Sequence, residues 1–167
     1  MISKTLLKLI DEAILPAVVV IAGKVLGVAI LSIHINVPFT LDLGTLAEHH
    51  AATINKYSNL FSYSAVTLGM VFILIRSYLF HTTHISPKIT LRLYDLNLTS
   101  LIETTYELFH QAVVWLSYQW LLTILFLLQS YWNLVSWEYS LAILFVTLIF
   151  TSIFIIDVDR EIKIAKS

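Results

Sequence analysis

Along the 167 residues, apolar side chains run in long stretches, unlike the strict alternation of a half-buried strand. Four such runs, at 15–36, 60–80, 104–128 and 136–156, are each long enough to cross a hydrocarbon core of about 30 Å, which takes roughly 20 helical residues. A segment inside lipid must satisfy its backbone hydrogen bonds within itself, and four short segments do not close a barrel, so each is predicted to be a helix. The expected fold is all-α: an integral membrane protein whose residues 1–167 form one domain, a bundle of four transmembrane helices.

The connecting segments have their own patterns. In "MISKTLLKLIDEAILP", Ile2, Leu6, Leu9, Ile10 and Ala13 share one helical face and Lys4, Lys8 and Asp11 the other, which predicts an amphipathic interfacial helix over 1–14. Pro16 then suits the first turn of a separate span. The apolar run is too long for a cleaved signal and lacks a small-x-small cleavage site, so the segment is expected to be retained. In the outer loop 37–59, Thr45-x-x-Glu48 resembles a capping box that starts a short helix, and Ser100-x-x-Glu103 does the same for the third span. In the inner loop 81–103, "KITLRLYDLNLT" alternates apolar and polar residues and reads either as a short strand or as an interfacial segment. The sequon at Asn97 falls on the predicted inner side, where it is not glycosylated. "QSYWNLVSWEY" joins the third and fourth spans as a tight outer turn, with Tyr131, Trp132, Trp137 and Tyr139 as interfacial rings.

Composition sharpens this picture. With 58% hydrophobic and 13% charged residues, a chain this small has more apolar surface than one soluble globule can bury. A net charge of −1 with basic residues scattered singly argues against nucleic acid as a partner. The absence of cysteine excludes disulfides, thiolate metal sites and a cysteine nucleophile. Lys4, Lys8, Lys88, Arg92, Arg160, Lys163 and Lys166 fall on one side of the predicted membrane and Lys56 alone on the other. Basic loops resist translocation, so both termini are expected in the cytoplasm. The expected location is the plasma (inner) membrane of a prokaryote, an organellar inner membrane being the alternative.

Candidate chemistry lies in the polar groups of the spans, because a charge at mid-bilayer costs about 3 kcal/mol on insertion scales and needs a partner, water or an escape to the interface. In "ETTYELFHQAVVWLSYQW", Glu103, Glu107, His110, Gln111 and Tyr118 fall within one helical stripe, whereas Trp115 and Trp120 point elsewhere. From a rise of about 1.5 Å per residue, Arg76, Glu107 and His110 lie about 9, 14 and 9 Å to the inner side of mid-membrane, so they are expected to meet. Lys24 lies within about 2 Å of the middle of its span. It sits inside Gly23-x-x-x-Gly27, a spacing that admits another helix closely, and is expected to reach Gln119, Ser117 or a carboxylate of another subunit, or else to snorkel. His34 and Glu138 come out at similar depths near the outer surface and suggest that the first and fourth spans are neighbours.

Metal and cofactor patterns are incomplete. Glu48, His49 and His50 are the densest metal-capable group, but adjacent histidines on a helix diverge by about 100° and suit a solvated loop better than a zinc site. His81 and His84 are equally ambiguous. Glu107-x-x-His110 is half of a carboxylate-bridged di-iron pattern whose second half is missing. No cofactor is predicted; haem or quinone, held through His81 and His110, is the minor alternative. With four glycines and no nucleophile elbow or zinc-protease signature, no catalytic motif is complete, and the chain is not expected to be an enzyme. The leading expectation is a non-catalytic membrane subunit or scaffold that packs against other membrane proteins or copies of itself. The alternatives are a small transporter or channel with a path lined by Arg76, Glu107 and His110 and gated by Lys24, and a redox subunit.

Overall fold

A computed structural model describes residues 2–80, 86–97 and 105–166, with side chains over 12–76, 86–97 and 109–160. Among the described residues there is no strand; the chain folds as α1 (Ile2–Ile35), a 3-10 turn (Leu43–Thr45), α2 (Glu48–Phe80), α3 (Pro87–Asp95), α4 (Thr105–Tyr131) and α5 (Trp137–Lys166). Four stretches within them are long and apolar enough to cross a membrane: Glu12–Ile35, Glu48–Arg76, Phe109–Tyr131 and Trp137–Arg160.

Three segments differ from the expectation. Residues 2–14 are not a separate surface helix but continue into the first span, with Pro16 buried inside α1. A proline there removes the donor for the carbonyl four residues back, Glu12, and crowds that turn. Next to it, the Tyr118 hydroxyl of α4 donates to the Ala13 carbonyl at 3.2 Å, the way a neighbouring helix supports a proline-interrupted turn. Residues 48–59, expected in the outer loop, are the first turns of α2. Their polar composition is overridden by packing, since Ile54 and Ser58 are fully buried. No capping box forms there: Thr45 belongs to the 3-10 turn and donates to the Asp42 carbonyl at 2.8 Å, while the carbonyl of Ala47, just before α2, accepts from the Ala51 N–H at 3.0 Å. Residues 87–95 of the inner loop, read as a strand or an interfacial segment, are an amphipathic helix.

Asparagine ends three helices. Asn36, Asn97 and Asn133 sit at φ of 57°, 54° and 57°, a left-handed conformation that asparagine tolerates better than most residues. After α1 the Val37 N–H reaches the Ser32 carbonyl at 3.0 Å, and after α4 the Leu134 N–H reaches that of Gln129 at 2.8 Å, closing the last turns as Schellman motifs. The turn between α4 and α5 leaves Tyr131, Trp132, Trp137 and Tyr139 exposed. At the same end Lys56 lies 4.1 Å from the Tyr139 ring centre and 5.1 Å from that of Tyr57, a cation sheathed by aromatic faces.

Glycines set the helix contacts. α1 packs antiparallel on α2 through Gly23 and Gly27: a Cβ on Gly23 would lie 2.9 Å from the Ser62 Cα, and one on Gly27 2.7 Å from the Ser58 Cα. Gly23-x-x-x-Gly27 thus faces Ser58-x-x-x-Ser62 of the same chain, and the Ser62 hydroxyl crosses to the Val20 carbonyl at 2.9 Å. Gly69 makes room for the indole of Trp115, which any Cβ would overlap, and so seats α4 on α2. α5 lies against α4, where Ser130 and Ser140 share a hydrogen bond of 2.6 Å. The core holds Tyr63, Val66, Met70, Ile73, Trp115, Leu122, Phe126 and Ile143.

Much of the interior is polar, with Ser32, Ser58, Ser62, Gln119, Thr123, Ser140 and Thr147 at most 2% exposed. Large apolar groups such as Ile21, Leu68, Phe72, Leu121, Phe145 and Ile156 are more than 60% exposed. That distribution suits an apolar solvent, in which polar groups gain by turning inward.

Replacement of Gly27 by leucine is expected to push α1 off α2 and cost about 2–3 kcal/mol. The folded fraction in a denaturing-detergent titration should collapse accordingly. Ile33→Leu on the exposed face of α1 should shift the same curve by no more than about 0.5 kcal/mol. A Gly27→Leu chain as resistant as the wild type would contradict the contact.

Candidate functional site

The polar side chains within the bundle fall into three groups. The first surrounds Lys24. Its Nζ donates to the Asn55 Oδ1 at 2.7 Å and to the Asn59 Oδ1, and lies 3.5 Å from the Asn55 carbonyl. Gly23 and Gly27 bring the two helices close enough for this reach, and the spacing of four on α2 places both amides on one ridge. All three acceptors are neutral, and no carboxylate reaches the ammonium among the described residues. Neither Gln119 nor Ser117, the expected partners, is involved. Ser117 is exposed and donates to the Val113 carbonyl of its own helix at 2.8 Å.

The second group ties α2, α4 and α5 together at the middle of their candidate spans. The Tyr63 hydroxyl donates to the Ile143 carbonyl at 3.0 Å and lies 2.9 Å from Thr147 Oγ1, which lies 2.8 Å from Thr123 Oγ1. One proton ordering serves every hydroxyl once: Thr123 donates to Thr147, Thr147 to Tyr63, and Tyr63 to the Ile143 carbonyl. The Gln119 Nε2 also donates to Tyr63, at 3.3 Å. Beside the chain, the Trp120 indole N–H donates to Thr151 at 3.1 Å, and Thr151 donates to the Thr147 carbonyl at 2.8 Å. Gln119 is wholly buried and its Oε1 has no hydrogen-bond partner, an omission that costs about 1–3 kcal/mol in ordinary cores.

The third group lies at the end of the bundle that holds the chain termini. His110 Nε2 of α4 is 2.9 Å from Glu12 Oε2 of α1, with side chains 27% and 12% exposed. Glu12, His110, Arg76 and Asp159 each have further interactions. Glu103 lies outside the described residues, as do the side chain of Glu107 and the residues His81 and His84. The expected meeting of Arg76 with Glu107 therefore falls outside them too. Arg76 and Gln111 are half-buried.

Elsewhere the candidate residues stay apart. His34 and Glu138 are exposed, and no ion pair joins them among the described residues. α5 packs on α4, whereas α1 packs on α2 and α4, so the neighbourhood of first and last spans that this pair suggested is not a main contact of the bundle. Glu48 and His49 are exposed; the rings of His49 and His50 have centres 3.8 Å apart at a tilt of 48°. Among the described residues no three histidine, aspartate or glutamate side chains gather as a metal site.

Sequence reasoning passed over Glu12, Asn55, Asn59, Tyr63, Thr123, Thr147 and Thr151. The asparagines were hidden by starting the second span too late. The hydroxyl groups left a signal, since Gln119 with Thr123 and Thr147 with Thr151 repeat at the spacing that aligns residues on one helical face.

No family model matches the chain, and neither a curated protein nor a solved structure matches it.

The hydroxyl chain makes a quantitative expectation. Tyr63→Phe leaves the Ile143 carbonyl and the Gln119 amide without their cross-helix partner, and Thr147→Val breaks the same chain one link earlier. Each should cost about 0.6–1.7 kcal/mol, the range for hydrogen bonds between membrane helices. In a double-mutant cycle read by denaturing-detergent unfolding, the double variant should cost less than the sum of the singles. Strict additivity would mean that the two hydroxyls do not cooperate.

Proposed function

We propose that this chain is a multi-pass membrane protein, with both termini in the cytoplasm, that serves as a non-catalytic subunit or scaffold of a larger membrane assembly. Support for the membrane part comes from the four long apolar helices and the inside-out distribution of polar groups. Support for the orientation comes from Lys and Arg, gathered at the end of the chain termini and of α3 and opposed by Lys56 alone.

The observation that carries the subunit reading is the cage around Lys24. An ammonium near the middle of a span is costly even when hydrogen-bonded, because amide oxygens replace water as acceptors but leave the net charge in place. Its own chain, among the described residues, offers Lys24 hydrogen bonds and no counter-charge. A carboxylate on a membrane helix of another protein would supply one. The channel reading assigned Lys24 a gating role and His110 a place along a path. Here Lys24 and His110 are instead engaged by α2 and α1, which makes them cohesive groups of the bundle.

Mild-detergent extraction from the native membrane should recover the wild-type chain in a complex of defined stoichiometry, resolved by native mass spectrometry. Lys24→Met, similar in length and uncharged, should still insert and fold but lose at least tenfold of that complex. Recovery of the wild type as a free monomer, or an undiminished complex with Lys24→Met, would overturn the subunit reading.

A further inference from the structure

Between α2 and α4, at the end of the bundle that holds the chain termini, α3 turns two cations outward. Lys88 and Arg92 are four residues apart, so their side chains stand one above the other on the helix, and both are exposed. Among the described residues neither head group has a hydrogen bond or an ion pair. Asp95, three residues beyond Arg92, is exposed as well and does not neutralise it.

Apolar side chains flank this basic ridge on both sides. Leu93 is the buried residue of α3, at 8% exposed. Round the helix from it come Ile89 and Leu96, at 43% and 61% exposed, then the two cations, then Leu91 at 66%. A groove of about 470 Å³ runs along Lys88, Ile89, Leu91, Arg92, Leu93 and Leu96, with Asp95 at its edge. Its size falls within the range of small-molecule sites, about 300–1,000 Å³. Exposed leucines beside unpaired cations suit neither water nor hydrocarbon alone. They match the boundary between the two, where a phosphate meets its acyl chains.

We propose that α3 is a docking site for an anionic phospholipid, with Lys88 and Arg92 on the headgroup phosphate and Ile89, Leu91 and Leu96 along the upper acyl chains. Two cations against one carboxylate leave an excess positive charge in the groove, which favours an anionic over a zwitterionic headgroup. A basic residue at a membrane surface strengthens anionic-lipid binding by roughly fivefold. The proposal rests on the membrane part of the reading above and not on the subunit part.

The test uses the full chain reconstituted in vesicles of equal parts phosphatidylcholine and phosphatidylglycerol, with retained lipids counted by native mass spectrometry. The wild-type chain should retain phosphatidylglycerol over phosphatidylcholine. The preference should fall roughly fivefold for each of Lys88→Gln and Arg92→Gln and vanish in the double variant. Lys56→Gln, which removes a cation from the opposite end, should leave it unchanged. Equal retention of the two lipids by the wild type, or a preference that survives in the double variant, overturns the proposal. Alkaline extraction of the same vesicles separates the two readings: an inserted chain without lipid preference overturns the lipid site alone, and a chain that is washed out overturns both.

Discussion

The close approach of α1 to α2 at Gly23 and Gly27 is the contact on which the rest of the arrangement depends. Where the surroundings are as apolar as the side chains, helices gain little by hiding leucine and gain more from close backbone packing and hydrogen bonds. With a side chain at either glycine the backbones would part, since a single added carbon already meets the Cα of Ser58 or Ser62 within 3 Å. The same approach sets the reach of Lys24 to Asn55 and Asn59 and of Ser62 to the Val20 carbonyl. Steric and polar contacts are thus one feature: the glycines let the helices close, and closure brings donors to acceptors.

A second polar seam, on the far side of α2, follows the same logic with hydroxyls in place of an amine. Tyr63 projects from α2 past Gln119 and Thr123 of α4 to Thr147 and the Ile143 carbonyl of α5. It supplies direct hydrogen bonds between two helices that otherwise meet chiefly through α4. Serine and threonine can also return their protons to the preceding turn, as Thr151 and Ser152 do. That turn offers carbonyl acceptors but no free N–H, so an amide oxygen finds no donor within its own helix, and the orphaned atom of the seam is the Oε1 of Gln119.

The number and order of the long helices were legible in the sequence because their signal is integrated over some twenty residues, and a few polar positions do not erase it. Their limits were less so. The polar stretch from Glu48 to Asn59 resembles a loop by composition, and only the burial of Ile54, Ser58 and Asn59 against neighbouring helices makes it helix. Pro16 suggested a boundary, but in a span a proline is tolerated wherever a neighbour supports the disturbed turn, and Tyr118 is more than a hundred residues away in sequence. Among the candidate residues, the small-residue face was visible as Gly23-x-x-x-Gly27, but not that its partner was Ser58-x-x-x-Ser62 of the same chain. Depth along a helix can be counted from sequence; azimuth between helices cannot. His34 and Glu138 came out at one depth and yet do not pair.

Azimuth also gives Lys24 its meaning. On α1 it is flanked four residues either way by Val20, which packs against the core, and Val28, which is 2% exposed, so its stem starts from the face turned toward the rest of the bundle. A lysine on the opposite face would be free to run along lipid to the nearer surface, with its charge solvated at the end of the climb. Held by two asparagines, it has left that route. Hydrogen bonds compensate the loss of water around the three N–H groups, but Coulomb energy in a low-dielectric medium falls only with an opposite charge. A bundle that fixes an ammonium in this way satisfies the directional half of its requirement and, among the described residues, leaves the electrostatic half unmet.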